Sequence, residues 1–311
     1  MATLNPTLAA IFQTPEMLEV KTRDVKQQRV YFNDRANTLF KITEKPEIEV
    51  ENITVPLTGR DIPARIYTPQ TVTTDGAIIF YHGGGWMLHD LDVYQLFCFY
   101  LANQAKCKVI SVEYRLAPEY PFPEGVNDGI ESMQWLIANI SKFGINSSKL
   151  IIAGDSGGAN IATVACHELS GSHKQPIAQV LLYPTVDLSK VYPSQELFQT
   201  QEYSLSKDWL QMMFDHYFTN PKREVFNPKA SPILYKDFCG QPDCLLVIAD
   251  FDPLRDEGVA YGEKLAQSGV NVERIHYPTM PHGFATFIKI VDEAEDVINK
   301  IAIFCQKKFT E

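Results

Sequence analysis

The stretch KLIIAGDSGGANIATVACHEL, residues 149–169, leaves the chain little freedom. Leu150, Ile151, Ile152 and Ala153 form a short apolar run with the length and β-branching of a buried strand. Beyond GDSGG, Ile161, Val164, Ala165 and Leu169 recur at the spacings of one helix face. A strand that reverses into a helix within so few residues needs small side chains at the turn. Gly154, Gly157 and Gly158 supply them. Ser156 stands at the apex of this turn, so its hydroxyl is pushed clear of both elements.

The same five letters surround the nucleophile of trypsin-like proteases, but those need an all-β chain. This one alternates. From about Glu47 it reads as strands (IEVENITVPL, DIPARIYTP, GAIIFYHGG), followed by the strand KVISVEY and a helix through DGIESMQWLIANI. The serine turn comes next, then the strand AQVLLYP, the strand CLLVIADFD, the helix GVAYGEKLAQSG, the strand VERIHYP and a long last helix. That helix carries Phe287, Val291, Ala294, Ile298, Ile301 and Cys305 as an amphipathic stripe. Strands alternating with helices predict an α/β fold with a mainly parallel central sheet covered by helices on both faces. At 311 residues the whole chain fits one such domain. Two segments break the pattern: about residues 1–45, helical and amphipathic before any strand, and about 187–229, with the aromatic stretch SKDWLQMMFDHYF. They are expected to fold together as a helical cap, against the alternative that the aromatic stripe merely packs on the body.

Bulk properties narrow the partners. A formal net charge of -10 argues against nucleic acid and against stable association with anionic membranes, and favours a neutral small-molecule substrate. The first twenty residues lack a basic segment followed by an apolar one, and no apolar run approaches the length of a membrane span, so a cytoplasmic location is expected. Cys98, Cys107, Cys166, Cys239, Cys244 and Cys305 show no metal-binding spacing and are expected to be reduced and mostly buried. No metal or cofactor is implied. Self-association as a homodimer stays open.

A serine hydroxyl becomes nucleophilic when a base takes its proton and an acid orients that base. Of the histidines after Ser156, His167 falls in the helix of the turn, His173 in a polar loop, His216 in the aromatic insertion and His276 inside a strand. His282 sits in a Pro/Gly loop at a strand end, where a base belongs. Asp252 ends the strand CLLVIADFD and is the corresponding acid. Asp250 is its chief rival, while Asp256 and Glu257 lie in the next helix. YHGGGW, residues 81–86, follows an apolar strand and offers unobstructed N–H groups to a developing oxyanion, with the Gly157 N–H as a further donor. His82 is expected to hold this loop by hydrogen bonds, without moving protons.

Together HGGGW, EYRLAPEYPFP (113–123), GDSGGAN, ASPI (230–233), DPLRDEG (252–258) and HGF (282–284) resemble, in order, the hormone-sensitive-lipase-like family of α/β-hydrolases, which includes many bacterial carboxylesterases. The resemblance implies Ser156 as nucleophile, Asp252 rather than Asp250 as acid, and His282 as base. It puts the oxyanion donors on Gly84, Gly85 and Gly157, with Gly83 forming the turn. One departure is visible: the family usually has GDSAGGN, whereas Gly157 and Ala159 exchange the alanine and glycine here. The implied activity is hydrolysis of neutral esters with short to medium acyl chains, with Trp86, Trp209 and Met213 lining the substrate pocket. An amidase or deacetylase with the same triad stays open. A non-catalytic receptor on this fold is disfavoured because His282 is present.

Overall fold

A computed structural model describes residues 3–172 and 175–311. Eight strands form one sheet in the order β1-β2-β4-β3-β5-β6-β7-β8: β1 (Ile48–Leu57), β2 (Arg60–Pro69), β3 (Ala77–Tyr81), β4 (Lys108–Val112), β5 (Leu150–Asp155), β6 (Ala178–Leu182), β7 (Asp243–Phe251) and β8 (Val272–Pro281). β1–β2 and β2–β4 are antiparallel and the other pairs parallel. The five central strands β3 to β7 are apolar along almost their whole length because helices cover both faces, as parallel sheets require.

The helices are α1 (Pro6–Phe12), α2 (Pro15–Val20), α3 (Val25–Ile42), α4 (Gln95–Ala105), α5 (Glu124–Asn139), α6 (Ser156–Glu168), α7 (Pro193–Leu197), α8 (Lys207–Tyr217), α9 (Pro221–Glu224), α10 (Arg255–Gln267) and α11 (Asp292–Thr310). Two departures from the sequence pattern have physical causes. Helix α4 leaves no amphipathic trace, because eight of its eleven residues are buried and a helix apolar all round has no polar face to mark its period. The last helix begins at Asp292, so Phe287 and Val291 precede it. Val291 is its extended N-cap, and Asp292, Glu293 and Glu295 place negative charge in the first turn, where the helix dipole favours it.

The N-terminal segment is three helices, each opened by a side-chain cap: Asn5 for α1, Thr14 for α2 and Asp24 for α3. The Asn5 N–H donates to the Thr279 carbonyl of β8 at 2.8 Å, and Leu8 and Phe12 of α1 are buried in the core. Farther on, the Arg29 guanidinium donates to the carbonyls of Met87 (2.8 Å) and Ala117 (2.6 Å) and to the Glu119 carboxylate. The same segment meets the insertion between β6 and β7. Phe32 stacks on Trp209 of α8 with centroids 6.2 Å apart, and the Lys21 ammonium donates to Gln201 Oε1 (2.6 Å) and the Ser204 carbonyl (3.1 Å). It also lies 4.7 Å from the Trp209 ring, and burial lowers its pKa to about 8. Among the described residues, no helix is long and apolar enough to cross a membrane. All six cysteines are unpaired; five are buried and Cys239 is exposed.

Candidate active site

In the register of β3 against β5, Tyr81 pairs with Gly154. The residues that follow each strand therefore emerge side by side: the triple-glycine loop from β3 and the serine turn from β5. At that turn Ser156 has φ 53°, the left-handed region that strains a residue with a Cβ. The backbone closes tightly around it. A Cβ on Gly158 would lie 2.1 Å from the Tyr81 carbonyl oxygen, and one on Gly154 would lie 2.5 Å from the Gly158 carbonyl. Both positions must be glycine for the turn to form.

β7 and β8 deliver the next two groups. His282 Nε2 lies 2.8 Å from Ser156 Oγ, and His282 Nδ1 lies 2.7 Å from Asp252 Oδ2. Asp252 is fully buried, and its other oxygen accepts from the Leu254 N–H at 2.8 Å, which fixes the carboxylate plane. Asp250 does not join them. An irregularity between Ala249 and Phe251 in the β7–β8 ladder separates the two aspartates, so they do not share a face as a continuing strand would place them. The Asp250 carboxylate instead meets His276 Nδ1 at 2.9 Å, on the surface. Neither of the other described downstream histidines reaches the serine: His167 bonds the Tyr261 hydroxyl and His216 the Met212 carbonyl. His173 lies outside the described residues.

The glycine loop shows a division of labour. Gly84 (φ 116°) and Gly85 (φ 60°) adopt backbone that favours glycine, and neither N–H donates to another group among the described residues. The Gly157 N–H sits in the first turn of α6, where helical donors have no intrahelical partner. These three are the donors named from the sequence. By contrast the Gly83 N–H is engaged, donating to Asp155 Oδ1 at 2.7 Å. His82 Nδ1 lies 2.8 Å from the Gly83 carbonyl, its ring stacks on Tyr114, and the Tyr114 hydroxyl donates to the His82 carbonyl at 2.7 Å. Burial drives the His82 pKa down to about 4, so the ring is neutral near pH 7 and braces the loop without charge.

Sequence reasoning missed Asp155 and Tyr94. Asp155 Oδ2 accepts from the Tyr94 hydroxyl at 2.8 Å, so both its oxygens are engaged, one by the loop and one by the residue that opens α4. The signal was present: a carboxylate ends an otherwise apolar buried strand.

Two hollows meet at Ser156. One, of about 200 Å³, runs under the N-terminal helices past Gly84, Gly85, His282, Phe32, Leu39 and Trp209. The other, of about 550 Å³, is bounded by Trp86, Thr185, Leu188, Phe214 and Leu254. Met213 borders both, Trp209 only the first and Trp86 only the second. Trp86 is held by stacking on Tyr217, with centroids 4.1 Å apart.

Comparison with known proteins agrees with this geometry. The α/β hydrolase fold family model matches residues 78–286. The chain is 30% identical over 305 residues to the ethyl acetate hydrolase of Pseudomonas putida, covering 94% of this chain and 95% of that one. It is 33% identical to carboxylesterase NlhH of Mycobacterium tuberculosis over 82% of this chain and 81% of that one. The solved esterase structure from Pyrobaculum calidifontis superposes with a TM-score of 0.90 at 34% identity, covering 98% of both chains. The chain therefore belongs to the hormone-sensitive-lipase-like family of α/β-hydrolases and is a carboxylic ester hydrolase.

Proposed function

We propose that this protein cleaves neutral short- to medium-chain esters through an acyl-enzyme on Ser156. The observation that carries this is the unbroken line from Asp252 to His282 to Ser156, at 2.7 and 2.8 Å, ending beside the unengaged N–H groups of Gly84 and Gly85. His282 Nε2 accepts the hydroxyl proton while Oγ attacks the ester carbonyl carbon. Negative charge gathers on the carbonyl oxygen, where Gly84, Gly85 and Gly157 N–H groups receive it. The C–O bond to the alcohol then breaks and Nε2–H protonates the leaving oxygen. Water repeats the sequence on the acyl-enzyme, releasing the acid and restoring Ser156. Asp252 holds the imidazole with Nδ1–H toward itself and stabilises the imidazolium.

Mass spectrometry after treatment with an aryl phosphonate ester is expected to find one adduct, on Ser156, with simultaneous loss of p-nitrophenyl ester turnover. Labelling elsewhere, or turnover that survives full labelling, would remove the acyl-enzyme. Cleavage of the matching anilides at comparable rates would move the assignment to an amidase.

The N-terminal helices and the insertion act as a cap that selects substrate, a role supported by the walls they contribute to the smaller hollow. For chains bound there, kcat/KM is expected to rise about fourfold per added methylene until the hollow is full, the equivalent of ~0.8 kcal/mol each. Phe32→Ala and Trp209→Ala, which remove stacked walls of this hollow, are expected to flatten that rise while leaving acetate ester turnover within about threefold, since acetate has no chain to bury. An unchanged chain-length profile in both variants would leave the cap without a part in selection.

A further inference from the structure

The acid just before the nucleophile has no part in the proton transfers above, yet both of its oxygens are engaged beneath the oxyanion loop. Asp155 is 3% exposed and lies between two donors, the Gly83 N–H on Oδ1 and the Tyr94 hydroxyl on Oδ2. Gly83 leaves no room for a side chain in this contact: a Cβ there would lie 2.6 Å from Asp155 Oδ2 and 2.9 Å from the Tyr94 oxygen. The residue that leads into the serine turn is thereby fastened to the residue that leads into the donors Gly84 and Gly85.

We propose that Asp155 is a positioning residue of the ester hydrolase: as a carboxylate it clamps the oxyanion loop to the nucleophile strand through Gly83, and protonation loosens the clamp. This rests on the acyl-enzyme reading of Ser156. Two donors on two oxygens match a group that only accepts, and hydrogen bonds to an ionised acceptor are roughly twice as strong as neutral ones. Protonating Oδ1 sets an O–H against the Gly83 N–H, which has no lone pair to offer. Protonating Oδ2 turns Tyr94 from donor to acceptor and leaves Gly83 a neutral partner.

The switch falls in an accessible range. Burial raises the Asp155 carboxyl to about 6, against the opposing pull of Tyr94, the Gly83 N–H and the charge of His282. The other groups that face it are the phenols of Tyr94, Tyr114 and Tyr183 and the thiol of Cys98, all driven upward by burial and so neutral. Only His282 brings a charge. Competence then needs two protons to be absent, one from Asp155 and one from the imidazole.

The test is the acid limb of log kcat/KM for a p-nitrophenyl ester, whose steepness counts protons. Wild type is expected to approach a slope of about two below the Asp155 ionisation. Asp155→Asn, which keeps an oxygen for Gly83, is expected to retain kcat within about tenfold at pH 8 and to show a slope near one, because position 155 no longer carries a titrating proton. Asp155→Ala, with no acceptor, is expected to lose about 10²–10³ in kcat with little change in KM, the loss typical of a misplaced oxyanion donor. A wild-type slope of about one, or an asparagine variant whose limb coincides with wild type, overturns the clamp while leaving the hydrolase intact. Absence of Ser156-dependent turnover at every pH would instead strike the acyl-enzyme.

Discussion

Ser156→Ala is expected to lower kcat for aryl esters by about 10⁵- to 10⁶-fold with the circular dichroism spectrum unchanged. The residual rate reports what binding and the oxyanion donors achieve alone. Ser156 adds little to folding: among the described residues its hydroxyl bonds only the His282 ring, and alanine keeps the Cβ that the turn already tolerates. Asp252→Asn is expected to cost about 10⁴-fold, because an amide NH₂ toward Nδ1 favours the wrong imidazole tautomer and leaves Nε2 unable to accept the serine proton. The informative control is Asp250→Asn. Asp250 is the same residue type, two positions away and also paired with a histidine, but on the surface beside His276. Activity near wild type is expected there. The assignment of the acid fails if Asp250→Asn collapses turnover and Asp252→Asn does not.

The second large effect falls on stability. Gly158→Ala puts a methyl 2.1 Å from the Tyr81 carbonyl oxygen and 2.4 Å from that of His82, both backbone atoms held by the central sheet and the glycine loop. Neither can swing away as a side chain would, so the substitution is expected to cost about 3 kcal/mol or more, above the usual range for an overpacked core. A lowered urea midpoint at constant slope is the measurement, and an unchanged midpoint would show that the turn has slack. Gly157→Ala, one position earlier, makes a clean contrast. Its methyl would meet the Trp86 ring at 3.2 Å, a contact that a shift of a few tenths of an ångström relieves. A change within about 1 kcal/mol is expected. The exchange of glycine and alanine in this motif thus opens a small gap against Trp86 without loosening the turn.

The serine turn and the alternation of strands and helices around it were legible because each rests on a local rule: apolar run, small residues, helix spacing. Separating Asp252 from Asp250 took more. A strand that continued evenly would send both to one side, and the irregularity after Ala249 that separates them depends on the pairing of β7 with β8, two strands distant in sequence. Asp155 was hidden for the opposite reason. It sits inside a motif where attention falls on the glycines and the serine, and its partners Gly83 and Tyr94 lie 72 and 61 positions earlier. Helix α4 was hidden by burial itself, since a segment surrounded by apolar neighbours has no polar side to betray its period.

The docking of α1 on β8 has a consequence for the protein as it is being made. Asn5, Leu8 and Phe12 leave the ribosome long before their partners do: the carbonyl that receives Asn5 belongs to Thr279, and the Phe12 ring packs edge-on to Phe287 at 5.5 Å. During translation Leu8 and Phe12 therefore lack this part of their native surface until Thr279 and Phe287 have emerged, which at about 5–20 residues per second takes on the order of tens of seconds. His282 arrives in the same late stretch. Docking of α1 therefore coincides with the arrival of His282, the proposed base, so this helix settles on the sheet only as the candidate site is completed.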